Sequence, residues 1–124
     1  MTPLVLLAVA VGGALGAVLR QLTSVSLAGR GRVPLGVLVV NVVGSFVAGV
    51  ALGAPLDPAV QLIIVSGLCG GLTTFSTFAV ETIQLVMAGK HRAALLSVGQ
   101  NLVFGIAAAV IGLSLGMAVA TTLA

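Results

Sequence analysis

The polar positions of this chain fall in short clusters. Between them lie four stretches without a charged residue: 1–19, 33–56, 58–80 and 93–124. About 20 predominantly apolar residues cross a bilayer core. The pattern therefore predicts four transmembrane helices, at approximately 3–22, 33–53, 58–88 and 94–120. The connections are 21–32, a tight turn at 54–58, and 88–92. Pro3, Pro34 and Pro58 stand near predicted helix starts, where a missing N–H costs nothing.

The third segment breaks the pattern. Its middle reads Ser66-Gly67-Leu68-Cys69-Gly70-Gly71-Leu72-Thr73-Thr74-Phe75-Ser76-Thr77-Phe78. Two adjacent glycines followed by a hydroxyl-rich run make a poor lipid-facing helix. Irregular backbone at membrane depth survives only where protein or a water-filled cavity supplies partners. A break near 70–73 is therefore expected, buried inside an assembly. Glycine strengthens the case for close packing. Gly12/Gly16, Gly49/Gly53, Gly67/Gly71 and Gly112/Gly116 are each four apart, and small residues at that spacing let helix backbones approach in lipid. A bundle this small oligomerises to bury a polar, broken segment.

Composition settles the class. Hydrophobic residues make up 60% of the chain and charged residues 6%, against roughly 25% charged in soluble domains. The mean hydropathy is +1.34. The 124 residues form a single transmembrane domain, all-α. The opening stretch lacks a basic start and leads into further spans, so it reads as the first helix and not as a cleaved leader. The lone Cys69 reads as a small packing residue.

Charge bears on orientation. Arg20, Arg30 and Arg32 lie in or beside the first loop, and Lys90 and Arg92 in the third, whereas the second loop and both tails carry no Lys or Arg. The positive-inside rule places loops one and three in the cytoplasm and both termini outside. The net charge of +3 does not signal nucleic acid. Its five basic residues serve two loops, and Trp and Tyr are absent, whereas nucleic-acid sites cluster Lys and Arg, usually beside stacking aromatics.

No catalytic set is present. His91 is a solvated loop residue between Lys90 and Arg92, and the two acids, Asp57 and Glu81, stand far apart in sequence. What remains is a polar stripe in lipid. Asn41 sits mid-span, either as interhelical glue or as a pore-lining donor. Asn101 sits similarly in the last span, with Gln100 beside it and Ser97 four residues earlier, on the same face. Phe75 and Phe78 share a face that Glu81 and Thr82 extend. A phenyl ring has a positive edge, which an anion can meet without binding too tightly. Glu81, ionisable and near or within the membrane, is a functional candidate by default.

These residues resemble the Fluc/CrcB fluoride channels. The resemblance runs through Gly12-Gly13-Ala14-Leu15-Gly16-Ala17-Val18-Leu19-Arg20 and Pro34-Leu35-Gly36-Val37-Leu38-Val39-Val40-Asn41-Val42-Val43-Gly44-Ser45-Phe46. Its most specific stretch is Gly67 to Phe78, quoted above, followed by Glu81. It implies an antiparallel dimer of four-helix subunits in the cell's inner membrane, with two narrow pores giving passive fluoride efflux. By motif match, Asn41 would donate to fluoride and Phe75 and Phe78 would supply ring edges. Thr77 and Glu81 would lie along the polar track, which Ser97 and Asn101 continue. Arg20 belongs to the first motif as a structural and orienting residue. The resemblance also implies a sodium ion at the dimer centre, held by the backbone carbonyls of Gly70 and Thr73. One turn after Asn101 the family often places a further serine, where this chain has Gly105.

The partner is open at this stage. An antiparallel homodimer needs a chain that inserts both ways, and a five-to-none charge bias favours one. The homodimer is preferred, because the third motif is whole. The alternative is a one-way subunit that pairs with an oppositely oriented paralogue. A small drug or cation exporter is a weaker reading, since the first helix carries no acid and the chain lacks Trp and Tyr.

Overall fold

Every regular element is helical in the computed structural model, which describes residues 2–123. Helix α1 is Pro3–Ser26 and α2 is Leu35–Gly53. Helix α3 covers 58–72, α4 is Ser76–Met87 and α5 is His91–Leu123. α3 and α4 together form the third of four helical stretches long and apolar enough to cross a membrane.

Local chemistry sets the helix ends. Thr2 caps α1, its hydroxyl accepting from the Val5 N–H at 3.2 Å, with Pro3 following. Asp57 caps α3, accepting from the Ala59 N–H at 2.9 Å, with Pro58 in the same position. A side-chain acceptor there satisfies an N–H that the helix leaves orphaned. α4 ends at Gly89, whose φ of +78° only glycine adopts cheaply. The turn is closed by Lys90 N–H donating to the Leu85 carbonyl at 2.8 Å and Gly89 N–H to Val86 at 3.0 Å, the Schellman arrangement. Two spans run longer than the sequence pattern predicts. α1 continues to Ser26, past 22, and α5 starts at His91 and runs to Leu123. The polar residues trimmed by an apolar criterion still propagate helical hydrogen bonds: Thr23, Thr121 and Thr122 donate their hydroxyls to the carbonyl four residues earlier.

The four glycine pairs resolve into two crossings. Gly12 and Gly16 of α1 lie against Gly67 and Gly71 of α3, and Gly49 and Gly53 of α2 against Gly112 and Gly116 of α5. A Cβ on Gly16 would stand 2.7 Å from the Leu72 nitrogen, and one on Gly49 2.8 Å from that of Leu113. These positions tolerate no side chain without separating the helices. Outside the crossings, α1 exposes Leu4, Leu7, Val11, Leu15, Val18 and Leu22. That stripe at helical spacing suits lipid.

The third segment is interrupted later than the sequence suggests. Gly70 and Gly71 stay helical, and the irregular residues are 73–75, with Thr73 at ψ 156°. The physical reason is packing: Gly71 is needed as a helical residue against the Gly13 backbone. Just before this point, Ile63–Cys69 is wound as a π-helix, a form that turns up disproportionately at functional sites.

Candidate functional site

The interruption is held by one side chain from α2. The Thr74 N–H, freed from helical pairing, donates to Asn41 Oδ1 at 2.8 Å, and Asn41 Nδ2–H donates back to the Thr74 carbonyl at 3.1 Å. The second hydrogen on Nδ2 goes to Asn101 Oδ1 on α5 at 3.2 Å, and Asn101 Nδ2–H donates to the Ser97 carbonyl at 2.9 Å. Buried amides cost free energy unless paired; here one chain of bonds ties α2, the interruption and α5 together. Thr74 then starts α4, its hydroxyl accepting from the Thr77 N–H at 3.1 Å.

Beside this chain lies a groove of about 430 Å³. Asn41, Ser45, Thr73, Thr74, Phe75, Phe78, Asn101 and Gly105 line it, with Val98 and Leu102. The Phe75 and Phe78 rings stand 5.9 Å apart and tilted by 53°, so edges and faces are both presented. Phe75 is 79% exposed although it sits in mid-span. The Phe75 side of the groove thus lies at the surface of the subunit.

The residues expected on the polar track divide. Asn41, Phe75, Phe78 and Asn101 share the groove. Thr77 does not line it, and Ser97 is buried at 2% exposure on α5. Glu81 lies elsewhere, in a second cavity of about 430 Å³ at the loop end of the bundle. That cavity runs between the first loop and α4, and Arg30, Arg32 and Lys90 line it alongside Glu81. One carboxylate oxygen of Glu81, Oε2, is buried there with no hydrogen-bond partner. Arg20 is half-buried on α1. Ser45 was missed by sequence reasoning: a single hydroxyl among apolar residues carries no pattern, and only its place in the groove singles it out.

The interruption also frees oxygens. Among the described residues no backbone N–H donates to the carbonyls of Gly70, Gly71, Leu72 or Thr73. The Cys69 carbonyl, by contrast, accepts both the Thr73 N–H and its hydroxyl, each at 2.9 Å.

Four apolar spans define a multi-pass membrane protein, with a phenyl-walled groove that carries a few amide and hydroxyl groups. Comparison with known proteins names the family. The profile described as CrcB-like protein, Camphor Resistance (CrcB), matches residues 7–113, and the chain belongs to that family. It is 46% identical to the fluoride-specific ion channel FluC 1 of Leifsonia xyli, over 98% of this chain and 94% of that one. It is 44% identical to FluC 1 of Thermobifida fusca, over 85% and 89%. The FluC protein of Methanopyrus kandleri is 45% identical over 88% of this chain and 86% of its own.

Proposed function

We propose that the chain is a subunit of a fluoride-selective channel that lets fluoride leave the cell passively. The observation that carries this reading is the groove of Asn41, Asn101, Phe75 and Phe78. It offers amide groups, one of them with a hydrogen to spare, and positive ring edges, and no ionised side chain lines it. Such a lining replaces part of an anion's hydration shell without holding it fast, and conduction requires that balance. The names of the similar proteins agree with it. Arg30, Arg32 and Lys90, with Glu81 among them, give the loop-end cavity an excess of positive charge, which would raise the local anion concentration.

In this reading the working unit is an antiparallel dimer, whose second subunit would cover the amide and hydroxyl groups that line the groove. A sodium ion at its centre fits this chain. Hard cations take oxygen ligands, and the Gly70 and Thr73 carbonyls lack N–H donors. They would hold the ion, whose positive charge compensates those oxygens. The charge bias of the loops supports a second form, with an oppositely oriented paralogue in place of the second copy.

The test is efflux from liposomes holding the purified chain, followed with a fluoride electrode, with chloride as control and Phe75→Ile alongside. Fast fluoride loss without chloride loss, slowed by the variant, is the expected result. Fluoride and chloride leaving at equal rates would overturn the reading. A C-terminal tag reached from both sides of the membrane marks the homodimer, and one-sided access marks the paralogue pair.

A further inference from the structure

The groove holds fewer free donors than its lining suggests. Both Asn41 Nδ2 hydrogens are engaged, by the Thr74 carbonyl and by Asn101 Oδ1. The Thr73 hydroxyl donates to Cys69, and the Thr74 hydroxyl shares a 3.3 Å bond with Ser76. Asn41 can serve an ion only by giving up a bond that holds the backbone. Asn101 has one Nδ2 hydrogen committed to Ser97 and one to spare.

Ser45 is the other donor without a commitment. It lies one turn beyond Asn41 on α2, lines the same groove, and makes no hydrogen bond among the described residues. Among helical hydroxyls, those of Thr23, Thr82, Ser114, Thr121 and Thr122 donate to the carbonyl four residues earlier, whereas those of Ser24, Ser66, Thr77 and Ser97, like that of Ser45, make no such bond among the described residues. Of these uncommitted hydroxyls only Ser45 lines the groove. The Ser45 hydroxyl, half-buried and with its hydrogen uncommitted, is placed to donate to an ion in the groove.

Gly105 stands opposite. A Cβ there would meet only the Ser45 oxygen, at 3.9 Å. Gly112 and Gly116, on the same helix, are fixed by backbone contact with α2, but Gly105 is not. A glycine inside a helix is disfavoured relative to alanine, and close packing does not account for this one. What it leaves is open space in front of the Ser45 hydroxyl.

We propose that Ser45 is a further fluoride-contacting residue, its hydroxyl donating to the ion as it passes, and that Gly105 is the opening through which the ion reaches it. The inference rests on the channel reading above and adds a residue to its site. It also gives Asn41 a different part, holding the interruption in place while Ser45 and the spare hydrogen of Asn101 face the ion.

Ser45→Ala, the Ser45→Ala/Gly105→Ser double variant and the wild type are compared by fluoride efflux from liposomes, with thermal unfolding in detergent as the folding control. The expected result is a fall of about tenfold for Ser45→Ala, the order of one lost hydrogen bond, with an unchanged unfolding midpoint. The double variant regains most of the flux, because a hydroxyl returns from the facing helix. A Ser45→Ala protein as fast as a conducting wild type overturns the inference and leaves the channel reading standing. So does a double variant no faster than Ser45→Ala, which would make the serine's part purely one of packing. A wild type that passes no fluoride, alone or with an oppositely oriented paralogue, overturns both.

Discussion

Asn41 holds Thr74 by both of its backbone groups, accepting from the N–H at 2.8 Å and donating to the carbonyl at 3.1 Å. A backbone unit that has left its helix is thereby satisfied by a side chain from a neighbouring span. Asn41→Leu strands both groups, and each orphaned buried group costs about 1–3 kcal/mol. Asn101→Leu loses the bond from Asn41 and the bond to the Ser97 carbonyl, but it strands no backbone group at the interruption. Thermal unfolding in detergent is expected to rank the variants with Asn41→Leu the less stable.

The glycine crossings predict a contrast within one residue type. Gly16→Ala and Gly49→Ala push a methyl into backbone of the facing helix and are expected to lower the unfolding midpoint sharply. Gly99 has nothing within 4 Å of its missing Cβ and an ordinary helical φ. Gly99→Ala is expected to be neutral, or stabilising by up to about 1 kcal/mol. Equal effects at all three positions would refute the close approach.

The positive loop-end cavity predicts a salt-dependent phenotype. Neutralising Arg30, Arg32 and Lys90 together as glutamine lowers fluoride flux severalfold at low ionic strength. The deficit shrinks near 1 M salt, where the screening length is about 3 Å. A deficit independent of salt would mean that the three residues act by contact and not by field.

A sodium ion held by backbone carbonyls, as proposed above, would be indifferent to side chains. Thr73→Val keeps the carbonyl and the methyl that touches Gly44, and loses only the hydroxyl bond to Cys69. It is expected to retain sodium-dependent stability. Exchange of sodium for N-methylglucamine is expected to lower the unfolding midpoint of wild type and variant alike. A wild-type midpoint that does not respond to sodium would remove the ion from the account.

The four spans were legible because lipid forbids charge over some twenty residues, and that rule shows directly as gaps between Arg, Lys, Asp and Glu. Close helix approach was legible in the glycine spacing, but not which pair meets which, since Gly12/Gly16 and Gly49/Gly53 look alike until the fold sets one against α3 and the other against α5. The interruption was misplaced because Gly70-Gly71 reads as flexible in isolation, whereas contact with Gly13 makes Gly71 a packing residue. The winding of Ile63–Cys69 left no sequence signal. Phe75, Phe78, Asn41 and Asn101 emerged from residue type and spacing. Ser45 did not, because only its place in the groove singles it out.

The interruption at 73–75 also sets two helix ends face to face. α3 arrives with its C-terminal carbonyls and α4 departs with its N-terminal amides, so opposite poles of two macrodipoles meet at mid-membrane. Each pole is equivalent to about half an elementary charge. The site can favour a cation on one side and an anion on the other without an ionised side chain, and so without the several kcal/mol that burying such a charge costs. A protein with only two acids in its whole sequence thus holds charge separation in its backbone, where no proton can titrate it away.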